Sequence, residues 1–401
     1  MFKRILIIIL IILGIILGSI YISFDAKKED KIRENKKSSD NSIYEYLRLE
    51  YDDENIIYSP LSIRTAFAML KEGAKGETKE ELDKLFSGYK VNKYVTSKKI
   101  SFANSIFINE NYKSEIKKEY VDTLKEKYNS EVLYDTFASP DNINNWIKEK
   151  TFNLIEKLLD EDSVDSETAL VLVNALALDI KWKQSFRKGD TYEDIFTLKD
   201  GTTTKTPMMH NIYSSKVASY LKNDKLEAVR LDIERIDDVN LELLAIMPND
   251  IDEYVKNLSK KKIDAISSKL VNASDKTKLK LAFPKFKFDY ELKLVEDLKE
   301  LGVTKIFEPT ADLGGIGSNL YVSSAHHKAT IDLSEEGVKA AASTAVVVSK
   351  NSIDDDKYVT IDFNKPFIFI IRDKKTEDIW FVGLILDLGT KEEQIEENIE
   401  E

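Results

Sequence analysis

The residues that most often carry out enzymatic chemistry are scarce in this sequence. It contains no cysteine and three histidines, His210, His326 and His327. Without cysteine there is no thiolate nucleophile, no disulfide and no zinc-thiolate site. The sequence also lacks the spacings of a nucleophile elbow, a P-loop, a dinucleotide-binding glycine loop and an H-E-x-x-H zinc motif. A Ser-His-Asp triad stays open because its members need not be neighbours in sequence. The residue inventory nevertheless favours a protein that is not an enzyme and that needs no metal or cofactor.

One segment near the C-terminus, residues 335–348, has an unusual composition, EEGVKAAASTAVVV. Alternate residues from Val338 to Val348 are small or β-branched and almost all apolar, whereas Lys339 and Ser343 belong to the other set. This alternation is typical of a β-strand with small side chains on its buried face. Taken alone, the segment also fits an ordinary edge strand followed by a loop.

The overall composition indicates a large folded body. The 401 residues are 42% hydrophobic and 10% aromatic, which excludes disorder throughout. There are 59 basic and 71 acidic residues, a net charge of −12, and the basic residues are not gathered in one stretch. We therefore expect no nucleic-acid partner.

The two ends of the chain differ from the body. Residues 5–22 carry no charge, are mostly isoleucine and leucine, and as a helix would cover about 27 Å, roughly one bilayer core. We predict that residues 1–24 form a signal anchor, or a signal peptide if they are cleaved, followed by a polar tether at 25–41. The body is predicted at 42–389 and an acidic tail at 390–401. The body is then expected on the extracellular face of a membrane, or secreted after cleavage.

The body contains local signals for both helices and strands. Ser59 is placed to cap a helix that begins at Pro60 and stops near Gly73. Hydrophobic spacing predicts further helices at 76–85, 112–128 and 140–159, and strands at 101–109, 169–180, 195–209, 225–232, 240–247, 277–289, 358–371 and 379–388. Because helices and strands do not alternate regularly, we predict a mixed fold of the α+β class.

A series of short motifs across the body resembles the serpins, a superfamily of protease inhibitors, here of the prokaryotic type with an N-terminal anchor or signal segment. In chain order they are NIIYSPLS at 55–62, AFAML at 66–70, GAKGET at 73–78, LVNA at 172–175, KW at 181–182, PMM at 207–209, LAFPK at 281–285, LGVTKIF at 301–307, ADL at 311–313, HK at 327–328, NKPFIF at 364–369 and FVG at 381–383. Each motif is weak alone, but their common order is specific.

The resemblance implies three β-sheets, about nine helices and an exposed reactive loop near the C-terminus. It assigns the hinge and the inserting part of that loop to Glu335, Glu336, Gly337, Val338, Ala340, Ala341, Ala342 and Thr344. It assigns a polar cluster beneath the opening of the main sheet to Ser59, Ser62, Asn174 and His327. Trp182 and Glu335 are expected where the loop enters the sheet.

The resemblance also implies a function. A serine, or alternatively a cysteine, endopeptidase cleaves the loop as a substrate and is trapped as a covalent acyl complex when the loop inserts into the main sheet. The target endopeptidase is thus the expected partner, together with the membrane through the N-terminal segment, and the protein is expected to be a monomer. The alternative is a non-inhibitory module for binding or adhesion on the cell surface.

The position of the reactive bond depends on how the loop is counted. From Glu335, the register usual in inhibitory members gives the bond Asn351-Ser352. A hinge shorter by one residue gives Lys350-Asn351, which suits a trypsin-like pocket with a buried carboxylate. Cleavage after Val348, which suits an elastase-like pocket, is the third alternative.

Overall fold

The computed structural model describes residues 54–86, 92, 94, 96–338 and 357–389. The predicted anchor, the tether, the acidic tail and the loop at 339–356 lie outside the described residues. Within the described part, no helix is long and apolar enough to cross a bilayer.

Seven α-helices and four short 3-10 helices are present in the described residues. The α-helices are α1 (Pro60–Gly73), α2 (Gly76–Leu85), α3 (Lys118–Tyr128), α4 (Asp141–Lys150), α5 (Ile251–Lys256), α6 (Lys260–Ser267) and α7 (Leu294–Glu300). The 3-10 helices cover Glu110–Glu115, Glu161–Ser163, Lys188–Asp190 and Lys305–Phe307.

The strands form three sheets. In chain order they are β1 (Ile56–Tyr58), β2 (Ile100–Asn109), β3 (Glu131–Asp135), β4 (Leu170–Leu178), β5 (Ile180–Lys181), β6 (Thr191–Thr197), β7 (Thr203–Tyr213), β8 (Ala218–Lys222), β9 (Leu226–Asp232), β10 (Leu241–Pro248), β11 (Val271–Asn272), β12 (Thr277–Pro284), β13 (Phe286–Lys293), β14 (Ser324–Leu333), β15 (Gly337–Val338), β16 (Lys357–Asp362), β17 (Phe367–Asp373) and β18 (Ile379–Ile385). The main sheet has the order β3-β2-β4-β14-β15-β5, with β13 also paired to β14. The back sheet has the order β1-β18-β17-β10-β9-β8-β11, and the small sheet the order β16-β12-β7-β6. The predicted α+β class with three sheets is confirmed.

Helix α1 joins the main sheet to the back sheet. Its Ser59 cap accepts a hydrogen bond from the N–H of Ser62 through Oγ, and Pro60 occupies the first turn, as the sequence predicts. Along the helix, Phe67 is fully buried in a core that includes Leu172 of the main sheet and Leu384 of the back sheet. The apolar face of α1 therefore fixes where the polar residues at its N-terminus lie.

Two predicted helices are shorter than expected. The helix predicted at 112–128 is a 3-10 helix up to Glu115 followed by α3. The helix predicted at 140–159 ends at Lys150, because Phe152 and Asn153 have φ values of 57° and 58°, in the left-handed region that a right-handed helix excludes.

Three predicted strands are each two strands. The segment 195–209 falls on the hairpin of β6 and β7, because Gly201, with φ of 85°, lies in the turn between them. The segment 277–289 contains β12 and β13, which separate at Lys285 into different sheets. The segment 358–371 likewise contains β16 of the small sheet and β17 of the back sheet. Continuous apolar spacing does not reveal these changes of sheet.

Candidate functional site at the opening of the main sheet

Two central strands of the main sheet are paired directly at one end of the sheet, called the closed end, and are kept apart by another strand at the other end. At the closed end, β4 and β14 pair directly in parallel, from Val171 with Ser324 to Asn174 with His327. At the other end, β15 lies between β14 and β5 and is antiparallel to both. The neighbouring strands at that end are therefore already separated by the width of one strand, about 4.8 Å on each side.

Gly337 fits this position because the backbone is approached closely there. It pairs with Lys181 of β5, and an added Cβ would overlap the carbonyl oxygen of Ile180 and lie 2.7 Å from the Cα of Lys181. Val338, which follows, is only 3% exposed. Gly337 and Val338, the first two residues of the predicted inserting segment, are thus already part of the sheet. Glycine occupies the position where the backbones come closest.

Backbone hydrogen bonds from a short segment after β5 hold the hinge. The N–H of Trp182 donates to the carbonyl of Glu336 at 3.0 Å, and the N–H of Phe186 donates to that of Glu335 at 2.9 Å. The indole N–H of Trp182 donates to the carbonyl of Ser334 at 2.9 Å. The structure therefore brings Trp182 and Glu335 together beside β15, and their role where the loop enters stays a prediction.

Two ion pairs involve the hinge glutamates. The Glu335 carboxylate lies 3.0 Å from Nζ of Lys285, and that of Glu336 lies 2.8 Å from Nζ of Lys188. Burial acts to raise the pKa of Glu335, but hydrogen bonds from its own backbone N–H and from Lys285 help to outweigh burial, so the pKa lies below the ordinary value. Glu335 is therefore ionised at neutral pH and held in place.

The polar cluster lies at the closed end. The backbone N–H of Ser59 donates to Nε2 of His327 at 3.0 Å, while the Ser59 hydroxyl accepts from the N–H of Ser62 at 3.1 Å. Asn174, the ladder partner of His327, donates through its side-chain nitrogen to Asn104. Ser59 thus links the start of α1 to β14 at the last pair of the ladder between β14 and β4.

His327 is neutral in this environment. It is 1% exposed, and burial lowers its pKa to about 3. Because Nε2 accepts from Ser59, the ring proton of the neutral form is on Nδ1. Within the described part of the chain, His327 Nδ1, Asn174 Oδ1 and the Ser62 hydroxyl have no hydrogen-bond partner, so the cluster retains capacity for one more polar group.

The comparisons with known proteins agree with this architecture. Residues 40–388 match a family model described as "Serpin (serine protease inhibitor)". The chain belongs to the serpin family.

Several characterised and uncharacterised serpins are similar over most of their length. A leukocyte elastase inhibitor of Bos taurus is 30% identical over 354 residues, which is 82% of this chain and 92% of that protein. Serpin B4 of Homo sapiens is 30% identical over 373 residues, covering 82% and 93%. An uncharacterized serpin-like protein of Methanosarcina acetivorans is 30% identical over 368 residues, covering 85% and 83%.

Solved serpin structures have the same fold. The thermophilic serpin tengpin in its native state aligns with a TM-score of 0.74 and 30% identity, covering 88% of this chain and 94% of tengpin. Uncleaved ovalbumin aligns with a TM-score of 0.75 over 88% and 99%, and at 23% identity it shows the fold alone.

Some predicted site residues of this serpin lie outside the described part of the chain. They are Ala340, Ala341, Ala342, Thr344, Lys350, Asn351 and Ser352. Conversely, sequence reasoning assigned no role to Lys188, Lys285 or Asn104. Lys285 ends the LAFPK motif and could have been examined for that reason, whereas nothing in the sequence connects Lys188 with Glu336. Among the described residues, no group of acidic or histidine side chains could hold a metal ion.

Proposed function

We propose that this serpin inhibits an endopeptidase as a suicide substrate, by inserting its cleaved reactive loop into the main sheet. The observation that carries the proposal is the position of β15. Gly337 and Val338 pair as a strand between β5 and β14. Because β15 is antiparallel to both neighbours, a continuation of this strand would run toward the closed end of the sheet.

Extending this ladder identifies the partners that the inserting loop would meet. Val338 lies opposite Ile180 on one side and β14 on the other. In an antiparallel pair, each residue further along one strand lies opposite a residue one position earlier in its neighbour. Thr344, six residues after Val338, would therefore lie opposite both Asn174 and His327. Those two residues are themselves the last pair of the closed ladder. The register of β15 with its two neighbours and the register of β4 with β14 therefore place the same pair of residues opposite Thr344.

This agreement defines two stages of insertion. Residues 339–343 fit the part of the sheet in which β4 and β14 have no direct pairing among the described residues. Insertion of Thr344 and beyond requires β4 to separate from β14, and with it the contact between Ser59 and His327 must move. Partial insertion therefore stops at the polar cluster, whose contacts must break before the loop can insert further.

The side chains of the loop suit this path. Val338 faces the core, so alternation would direct Ala340, Ala342 and Thr344 to the same side once the loop has inserted. Small apolar side chains can be buried on this side of the sheet, whereas burying a charge there would cost several kcal/mol. The Thr344 hydroxyl would arrive beside His327, where buried polar atoms still lack partners.

The chemistry is that of an interrupted proteolysis. The hydroxyl of the protease serine attacks the carbonyl carbon of Asn351, or of Lys350, and an ester forms while the amide nitrogen leaves as a new protonated N-terminus. Insertion of residues 339–351 then moves the attached protease by about 43 Å, at about 3.3 Å per residue. The new hydrogen bonds contribute about 0.5–1.5 kcal/mol each, and the ester is left unhydrolysed.

A protease panel tests the proposal. The full chain in mild detergent is incubated with trypsin, pancreatic elastase and an asparagine-specific endopeptidase, which match the three candidate bonds. We expect one of them to form a complex that survives boiling in SDS. Cleavage of the loop without such a complex would instead support the non-inhibitory binding or adhesion module.

We further propose that residues 5–22 hold the inhibitor at the extracellular face of a membrane, with a secreted form if the segment is cleaved. The length and lack of charge of this segment support the proposal. Recovery of the full chain in the membrane fraction, with the body accessible to protease added outside the cells, is the expected result. Recovery in the soluble cytoplasm would refute it.

A further inference from the structure

The small sheet presents a cleft beside the place where the reactive loop ends. Strand β16 begins at Lys357, the first described residue after the loop, and pairs in parallel with β12. The cleft, of about 450 Å³, is lined by residues from all four strands of the sheet. Asn351 lies six residues before Lys357 in the sequence, so at most about 20 Å of chain separates them. A protease bound at Asn351-Ser352 must therefore lie beside the small sheet.

Two exposed apolar side chains lie at this cleft. Of the four large apolar side chains that are exposed among the described residues, Tyr192 and Ile212, 55% and 48% exposed, both line it. Exposed apolar side chains that lie together mark an interaction surface more often than isolated exposed residues do.

The aromatic ring in the cleft is held in a fixed position. The rings of Tyr192 and His210 stack with centroids 4.2 Å apart and planes 9° apart. Nδ1 of His210 lies 3.0 Å from the carbonyl oxygen of Asp190, and a carbonyl only accepts, so Nδ1 is the donor. Tyr192 therefore offers an ordered ring to a partner without a further loss of side-chain freedom.

The cleft also carries negative charge. Asp194 and Asp362 line it, and neither forms an ion pair within the described part of the chain. The pKa of Asp362 lies above its ordinary value, because partial burial of its carboxyl and the like charges of Glu227 and Asp194 outweigh the opposite influence of His210 and Lys222. Glu227, by contrast, is paired with Lys222 at 2.7 Å.

The cations that line the same cleft already have partners. Nζ of Lys280 lies 4.0 Å from the ring centroid of Tyr358. Arg187 pairs with Asp190 at 3.8 Å. A cation from outside would therefore meet an open aromatic ring and two carboxylates without displacing either contact.

We propose that this cleft is a second contact site for the target endopeptidase, in which a lysine or arginine on the protease surface lies over Tyr192 and pairs with Asp194 and Asp362. The inference rests on the proposed inhibitory function, which supplies the protease at the loop. Charge pairing of this kind acts at exposed sites mainly on the rate of association, and the cation–π contact adds a short-range attraction. The cleft would thus select proteases with a basic surface beside their active site.

Rate constants with the protease that forms the SDS-stable complex test the proposal. The double variant Asp194→Asn/Asp362→Asn is expected to associate about five- to tenfold more slowly at low salt, and at nearly the wild-type rate in 0.5 M salt, since salt screens exposed charges. Tyr192→Ala should also slow association, and at both salt concentrations. The stoichiometry of inhibition should be unchanged, because the inserting loop is untouched. Val271→Ala is the matched control, since Val271 is 56% exposed but belongs to the back sheet.

The second contact site and the inhibitory function are refuted by different results. Equal association rates for wild type, the double variant and Tyr192→Ala, with the complex still formed, would overturn the second contact site alone. A double variant that is slower by the same factor at low and high salt would overturn the charge pairing. Absence of a stable complex with every protease would overturn the inhibitory function, and the second contact site with it.

Discussion

Acidification from pH 7 to pH 5 is expected to destabilise this serpin through His327. The pKa of this histidine is about 3 in the folded protein and 6.5 in the absence of burial. The folded state therefore binds a proton less readily than the unfolded state. The stabilisation from the neutral ring is complete above pH 6.5 and is lost progressively between pH 6.5 and pH 3.

The size of the effect follows from the two pKa values. Between pH 7 and pH 5 the difference in proton binding amounts to about 2 kcal/mol of unfolding free energy. The structural event behind it is local, because protonation of Nε2 removes the acceptor for the N–H of Ser59. The bond lost is the one that joins α1 to β14 at the closed end of the main sheet.

Urea titrations at pH 7 and pH 5, followed by tryptophan fluorescence, measure the effect. Between pH 7 and pH 5, the free energy of unfolding of the wild type should fall by about 2 kcal/mol more than that of His327→Gln. His326→Gln is the matched control, because His326 precedes His327 on β14, projects to the opposite face and lies 3.8 Å from Glu291; it should behave as wild type. Equal losses for the wild type and His327→Gln would refute the reasoning.

Three further predictions concern the loop and its hinge. Thr344→Arg should turn the inhibitor into a substrate, because the arginine would be buried on the inward side or would block insertion, whereas Ser343→Arg should retain inhibition; identical behaviour in an SDS-complex assay would contradict the register. Gly337→Ala should also give substrate behaviour, since the added Cβ would overlap the backbone of β5, and a normal yield of complex would argue against the observed seat of the hinge. Lys285→Met should destabilise the protein by about 1–3 kcal/mol, because the buried Glu335 carboxylate loses a partner that is itself 43% exposed; an unchanged urea midpoint would exclude a stabilising role for this pair.

Local signals were sufficient for parts of this fold. The cap and the first turn of α1 are confirmed because Ser59 and Pro60 act on their immediate neighbours. Strand β14 is not predicted, because two of its inward positions, His327 and Ala329, interrupt the set of large apolar residues. The division of apolar runs between two sheets, as on either side of Lys285, depends on tertiary pairing that spacing alone does not encode.

The site shows the same distinction. The family motifs placed Ser59, Asn174 and His327 in one region, and the structure brings them together at the closed end of the main sheet. The ion pairs of the hinge were not anticipated, because Lys188 and Glu336 are far apart in sequence and each is unremarkable alone. Contacts of this kind follow from the sheet order rather than from any local pattern.

The mass of the C-terminal fragment released from the SDS-stable complex tests the central claim most directly. The candidate bonds counted from Glu335 predict a fragment that begins at Ser352, at Asn351 if a trypsin-like enzyme has cleaved after Lys350, or at Ser349 if an elastase-like enzyme has cleaved after Val348. In each case the remainder of the loop stays attached to the protease through an acyl bond. A fragment that begins after residue 356, or a cleaved loop with no protease attached, would contradict inhibition by loop insertion.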